Sequence, residues 1–542
     1  MFVSCLKRIG EFIQRERFFL WCLLGAMLLS ALPFLLGQAL APAGTIFFGN
    51  KLIAPADYSI YYSYINQGMQ GQVFMYDAFT SEAHAATLFQ PLWFMVGLGA
   101  KLFHFSAPVA FAAARYLSVP VFLWTIWWAA GWIFSGFPRR RKVAFVTSLI
   151  ASGFGGIFAL IGPRLADFPW TYPDLWVSEA YAVLTLWSSA HFLLVTSGIV
   201  FVLVAVERSW SEQRWSWALW ASLVAFATLS IHPFHVLTWA ILWSLLTLWR
   251  WQNAKKFPRY YFARWVTVLA MSLPILLLYA LQLKFDVLTI ERSIQNINPT
   301  ARPWAMVLGI GLPLFFAVVS VWKWKPRDER WRWLITLTLA YIIAAYLPVL
   351  FQRRLTQGMI LPFAWLSAPV IESLIFTNHH RSTKWVVSIA LGLCLSFSWL
   401  FIGGVMIKDY ARDIREPIRM YYIDRDHQEL ASFFRTLEPH QPILGSLIES
   451  NVLAGQTAHQ VYVGYGVETW NFGEKLDTMD AFFSTMSEPE QRQFLQREQL
   501  CYVLSSPRTV AKGNAFQSQT WTDLVVAWSG KELTLFQTPY CR

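Results

Sequence analysis

Residues 88–105, LFQPLWFMVGLGAKLFHF, decide how this chain is threaded. The run is largely apolar and sits at the short end of what crosses a bilayer. If it spans, every later segment changes sides. If it lies flat, its Pro91, Trp93 and Lys101 suit a helix resting in the membrane interface. The basic clusters choose between the two. Arg139-Arg140-Arg141-Lys142, Arg250 to Arg264, Lys323 to Arg332 and His379 to Lys384 share the side of the basic N-terminus only when 88–105 lies flat. Basic loops stay on the cytoplasmic side, so the flat reading is adopted.

Working outward from that stretch, eleven apolar runs are long enough to be read as spans: 19–40, 108–135, 143–162, 187–206, 215–232, 234–251, 263–283, 303–322, 333–351, 359–377 and 385–406. The first follows Lys7, Arg8, Arg15 and Arg17 and exceeds the apolar core of a cleavable signal, so it reads as a retained helix with its N-terminus inside. The expected outer segments are a long first loop at 41–107, then 163–186, 284–302, a turn at 352–358, and the tail. Residues 1–406 therefore read as the membrane domain and 407–542 as an extracytoplasmic domain.

Composition agrees. Of 542 residues, 56% are apolar and only 14% charged, the mean hydropathy is +0.40, and there are 29 Trp and 43 Phe. Soluble domains carry about 25% charge, so a soluble multidomain enzyme and a disordered chain are both excluded. The net charge of +12 divides into +16 before residue 408 and −4 after it. Basic residues fall in short clusters between apolar runs, as membrane orientation requires, and no Walker loop, dinucleotide fingerprint or zinc-like spacing is present. Nucleic acid is not an expected partner.

The tail has short apolar runs. Pro442 to Ile448, Gln460 to Tyr465, Leu500 to Ser505 and Leu524 to Phe536 read as strands. Leu476 to Met486 and Pro489 to Glu498 read as helices, which makes a small α/β domain. Of five cysteines, Cys5, Cys22 and Cys394 accompany the membrane part. Cys501 and Cys541 share the tail, where an oxidising compartment would let them pair.

Polar residues at the outer ends of apolar spans are the functional candidates, because an ionisable group there is costly to keep. Asp57, ahead of Tyr58-Ser59-Ile60, reads as a general base for an acceptor hydroxyl or as a helix N-cap. Asp77, Thr80, Glu82 and His84 follow in the same loop. Asp174 and Glu179 lie in the second loop, and Glu179 reads as a base-orienting group, a cation ligand or a solvated carboxylate. His191 opens the fourth span and reads as a site residue or a hydrogen-bonded core residue. His232-Pro233-Phe234-His235 forms an outer turn whose two histidines suit a metal, a phosphate or a sugar hydroxyl. Arg115, Arg353 and Arg354 oppose the charge trend and suit an anionic phosphate or snorkelling to headgroups.

The layout resembles the GT-C glycosyltransferases, which include protein O-mannosyltransferases, aminoarabinose transferases and oligosaccharyltransferases. The residues that carry the resemblance are Asp57-Tyr58 with Gln67-Gly68 and Gly71, Thr80-Ser81-Glu82, Phe89-Gln90-Pro91-Leu92-Trp93, Leu98-Gly99 and Ala114-Arg115. They continue with Trp176-Val177-Ser178-Glu179-Ala180, Ser189-Ala190-His191-Phe192, and Gln352-Arg353-Arg354 with Gly358 and Pro362. Val463-Gly464-Tyr465, Glu468-Thr469 and Lys475 belong to the same set in the tail. The resemblance implies a polytopic helical protein of about eleven spans in a bacterial inner membrane. It implies transfer of a sugar from a polyprenyl-phosphate carrier to a hydroxyl on a glycan, lipid or protein, on the outer face and with inversion. Asp57 is the implied base, and Arg353 and Arg354 the implied phosphate ligands. Tyr58, Glu82, Arg115, Glu179, His191, His232 and His235 complete the candidate site. No paired Asp-x-Asp occurs in the first loop, so no metal or other cofactor is expected, with a divalent cation left open. The rival expectations are a transporter or flippase, which would show broken helices or inverted repeats that the sequence does not display, and a scaffold that is indifferent to Asp57.

Overall fold

The computed structural model describes residues 2–49, 57–162, 171–323, 328–376, 380–414, 421–437, 441–511, 521 and 523–541. Pro55, Ala56, His379, the first part of the 163–186 loop and the side chains of Cys5, Lys7 and Arg8 lie outside the described residues.

The protein is mostly helical, and each of the eleven apolar runs carries helix. Among the described residues six helices are long and apolar enough to cross a membrane: Ile13–Ala39, Ala107–Ile133, Ala190–Ser211, Arg259–Phe285, Gln352–Phe376 and Ser382–Asp413. Two helix pairs qualify jointly but are sharply bent, which raises the number to eight. The runs at 215–232, 234–251 and 333–351 form Trp215–Leu229, His235–Ala254 and Glu329–Ala345. The stretch 88–105 becomes helix Pro91–Phe103. At 13 residues, this helix measures about 20 Å against a hydrocarbon core of about 30 Å, so it is too short to cross.

Two compact units emerge. The first comprises residues 1–33, 115–279 and 297–405. It holds both bent pairs, Pro138–Ile150 with Gly155–Ile161 at 41°, and Pro303–Ile310 with Leu312–Lys323 at 84°. The sequence reading saw no broken helices, and the structure corrects it. The cause is long-range. Gly311 has φ +62, and Gly153 packs so closely on it and on Gly309 that a side chain at Gly153 would sit 2.2 Å from the Gly309 carbonyl oxygen. Asp174 seals the break. Its Oδ2 accepts from the amides of Gly153 and Gly155 at 3.1 and 3.0 Å and from Ser398 Oγ at 2.5 Å.

The second unit comprises residues 34–114, 280–296 and 406–542. Here the long first loop and the tail fold together. Strand Thr45–Phe47 pairs antiparallel with Tyr422–Asp424, and Thr80 bridges to Val463. Helix Pro91–Phe103 buries Trp93 against Tyr61 and Phe111, with ring centroids 4.9 and 5.5 Å away, while Met95, Leu102 and Phe103 face outward. The tail sheet runs Ile443–Leu444, Tyr502–Ser505, Thr534–Gln537, Val525–Ser529, parallel at the first pairing and antiparallel thereafter. The stretch expected as one strand at 524–536 is thus a hairpin. Gln460 to Tyr465 makes only isolated bridges, through Val461 and Val463. Helices Arg425–Phe434 and Leu447–Thr457 were not anticipated, whereas Phe472–Ser484 and Glu488–Glu498 were. Leu444, Val463, Met479, Phe482, Leu495 and Val503 form the tail core. Cys501 and Cys541 are joined by a disulfide, tying the chain end to the central strand.

Candidate functional site

Each unit gathers polar side chains from residues far apart in sequence. In the first unit the organiser is Gln357, which follows the 3-10 helix Gln352–Thr356 and precedes Gly358. Gly358 has φ +75, a left-handed turn that a Cβ would strain, and its amide donates to the Glu179 carbonyl at 2.9 Å. This turn aims the Gln357 amide inward. Its Oε1 accepts from His232 Nδ1 at 2.9 Å and from His235 Nε2 at 3.0 Å. Its Nε2 donates to the Phe192 carbonyl and to Thr196 Oγ1, both at 3.1 Å. An amide oxygen only accepts, so both histidines present an N–H to it.

The same turn carries the arginines. Arg353 Nε lies 3.2 Å from Glu179 Oε1, with its guanidinium 4.8 Å from the Trp176 ring centroid. Arg354 stands 3.9 Å from the same carboxylate oxygen, beyond hydrogen-bond length. Two guanidiniums thus converge on one buried acid. His191 joins through its ring, 5.2 Å from that of His232, and its Nδ1 is 2.7 Å from Ser189 Oγ. Glu179, His191, His232, His235, Arg353 and Arg354 are therefore one connected group. Arg115 is not part of it. Its guanidinium donates to the Trp187 carbonyl at 3.3 Å and lies over Tyr116.

In the second unit, Asp57 is the first residue of helix Asp57–Met69, and Tyr58 is buried with its ring 5.2 Å from Phe111. Glu82 accepts from Thr80 and pairs with Lys475 Nζ at 2.6 Å. Burial lowers the Lys475 ammonium despite that carboxylate. Deeper in the unit, Arg292 pairs with Glu468, donates to Tyr64 Oη at 3.0 Å, and stands 3.8 Å from Asp77. Burial, and then the charge of Glu468, push the Asp77 carboxyl well above the usual carboxylate range, against the pull of Arg292.

Sequence reasoning did not select Gln357, Arg292 or Glu468 as site residues. Glu468 stood in a quoted motif and Gln357 lies between the quoted Arg354 and Gly358, so a signal existed near both; Arg292 had none beyond its place in an expected outer loop. Among the described residues no group of three or more His, Cys, Asp or Glu is arranged to hold a metal ion. The acid pair Asp77 and Glu468 is filled by a guanidinium instead.

No protein-family model matches the sequence, and no curated protein sequence does. Solved structures do. ArnT from Cupriavidus metallidurans, bound to undecaprenyl phosphate, aligns over 95% of this chain and 98% of its own, at 10% identity and a TM-score of 0.53. The oligosaccharyltransferase AglB from Archaeoglobus fulgidus, in complex with an inhibitory peptide and a dolichol-phosphate, aligns over 91% and 70%, at 12% identity and 0.52. The arabinofuranosyltransferase AftD from mycobacteria aligns over 97% of this chain but 42% of its own, at 12% identity and 0.54. At such identities the likeness is one of fold alone, and the fold is the one these three transferases share.

Proposed function

We propose that this protein transfers a sugar from a polyprenyl-phosphate carrier to an acceptor hydroxyl. The observation that carries the reading is the convergence of two guanidiniums, Arg353 and Arg354, on the Gln357 turn beside Glu179. A lipid phosphate suits such a pair, because guanidiniums match phosphate geometry with two parallel donors. Two proteins of the same architecture are bound to such carriers, undecaprenyl phosphate in ArnT and dolichol-phosphate in AglB.

In this reading the Asp57 carboxylate takes the acceptor proton while the acceptor oxygen bonds to the anomeric carbon. The bond from that carbon to the phosphate oxygen breaks, and the lipid phosphate leaves with the electron pair. Arg353 and Arg354 stabilise the charge that develops on it. Direct displacement inverts the anomeric centre. The acceptor is a glycan, lipid or protein. The site faces outward from a bacterial inner membrane, with the N-terminus cytoplasmic and residues 407–542 an extracytoplasmic domain. The Cys501–Cys541 disulfide supports that side for the tail, since disulfides persist in oxidising compartments.

The test is release of lipid phosphate from a polyprenyl-phosphate sugar. Asp57→Asn is expected to slow transfer by about 10²- to 10⁴-fold, the usual worth of a positioned base, while leaving the thermal transition of the protein unchanged. An Asp57→Asn protein that transfers at the full rate removes Asp57 from the mechanism.

The two broken helix pairs favour a second reading, a transporter or flippase of a lipid-linked substrate. Burial pushes the Asp174 carboxyl at the break up to about 7, against hydrogen bonds from Ser398 and the Gly155 amide. Such a group exchanges its proton near neutral pH. Movement of a labelled lipid between leaflets, abolished by Asp174→Asn with no sugar transferred, is the outcome that selects this reading.

A further inference from the structure

We infer that the first unit carries a binding site for an anionic phospholipid headgroup at Arg264, at the end of the unit where the basic clusters gather. Helices Ala107–Ile133, Ala190–Ser211 and His235–Ala254 finish there, and Pro138–Ile150, Trp215–Leu229, Arg259–Phe285 and Glu329–Ala345 begin there. Three other arginines at this end have carboxylate partners. Arg250 pairs with Glu207 at 2.8 Å and with Glu329 at 2.7 Å. Arg208 pairs with Glu212 at 2.7 Å, and Arg140 with Glu372 at 2.8 Å.

Arg264 differs. It is 1% exposed, yet its guanidinium meets only neutral groups. Nε donates to Ser209 Oγ at 2.9 Å, Nη1 to the Tyr260 carbonyl at 2.6 Å, and Nη2 to Gln213 Oε1 at 3.4 Å. Indole rings complete its surroundings, with Trp215 4.7 Å and Trp210 5.6 Å from the guanidinium carbon. Among the described residues no carboxylate is within ion-pair distance of it. Burying a cation without a counter-charge is expensive. Snorkelling does not account for it, because a snorkelling guanidinium ends in water and this one does not.

The counter-charge therefore comes from outside the chain, and the position says from where. Arg264 lies one and a half turns into an apolar span, with exposed Arg259 opening the same helix and exposed Arg214 between its partners Gln213 and Trp215. Below that charged rim, Leu219 and Leu223 on helix Trp215–Leu229 and Val266 on helix Arg259–Phe285 are exposed apolar side chains. Phosphate at the rim and acyl chain on the leucine stripe is the chemistry of a phospholipid. Basic residues at this depth each favour an anionic headgroup measurably over a neutral one.

The test uses the full-length protein in micelles doped with phosphatidylglycerol or phosphatidylcholine of matched chains, with retained lipid read by native mass spectrometry and stability read by thermal unfolding. The wild type is expected to retain phosphatidylglycerol about five-fold over phosphatidylcholine, and to melt higher with it. Arg264→Gln is expected to erase both preferences. The exposed double variant Arg214→Gln, Arg259→Gln, which leaves the buried contacts intact, is expected to reduce them. If Arg264→Gln does not fold, the double variant decides the matter alone. An undiminished preference in either variant overturns the proposal. So does equal stabilisation by inorganic phosphate alone, which would make the ligand a soluble anion rather than a lipid.

Discussion

The Gln357 turn of the first unit and the Arg292 pocket of the second unit solve opposite charge problems. At the turn, two guanidiniums face one carboxylate, and the nearby histidines offer N–H groups to an amide oxygen. In the pocket, two carboxylates face one guanidinium, and one of them, Asp77, is pushed towards its neutral form. A pocket with surplus acid balances itself by keeping a proton. At the turn the guanidiniums have no such recourse, because arginine does not give up its proton; in the proposed reading they take the lipid phosphate.

That contrast can be broken in the order of the effects it implies. The largest lies in the pocket. Arg292→Met strips Glu468 of its ion-pair partner, and loss of one member of a buried pair costs about 3 kcal/mol. Thermal unfolding of the second unit should show it, and the double variant Arg292→Met, Glu468→Gln should recover most of the loss. If the double variant is no better than the single one, the pocket is not held by charge balance.

A smaller effect belongs to the turn. Arg354→Ala removes a guanidinium that stands beyond hydrogen-bond length of Glu179, so stability should barely change. Carrier affinity should fall about ten-fold, the worth of one charge-assisted hydrogen bond, with acceptor affinity unchanged. A titration with polyprenyl phosphate reads this, and unchanged carrier affinity ends the phosphate role of Arg354.

The smallest effect is one of pH. His427 in the tail is buried, neither ring nitrogen has a hydrogen-bond partner among the described residues, and burial lowers its pKa. The unfolded chain then binds a proton that the folded chain refuses. Its contribution to stability is complete above the ordinary histidine value of about 6.5 and is lost as pH falls below it. His427→Phe should flatten that part of the stability profile; an unaltered profile would assign the acid sensitivity elsewhere.

What the sequence disclosed follows the same division between local and distant causes. Apolar runs are local, so every one of them emerged as helix, and the short 88–105 stretch was separable from the spans by the side on which the later basic clusters fall. Cys501 and Cys541 were legible as partners by sharing one segment, though not as a bond. The broken helices were not legible, because the break depends on Gly153 meeting Gly309 and Gly311, over 150 residues away. Gln357 looked like an ordinary polar residue until His232, His235, Phe192 and Thr196 converged on it. Arg292 was equally silent, since its acids come from the first loop and from the tail. Asp57 was legible as an acid opening a helix, which is where it lies, but a position at a helix start serves a cap as well as a base.

The most direct measurement is a density map of the protein with a polyprenyl-phosphate sugar bound. The account predicts carrier phosphate within hydrogen-bond distance of Arg353 or Arg354, with lipid chain along the apolar helices of the first unit. A carrier lodged at the broken helices around Gly153 and Gly311, with no phosphate near either arginine, would contradict glycosyl transfer and favour transport.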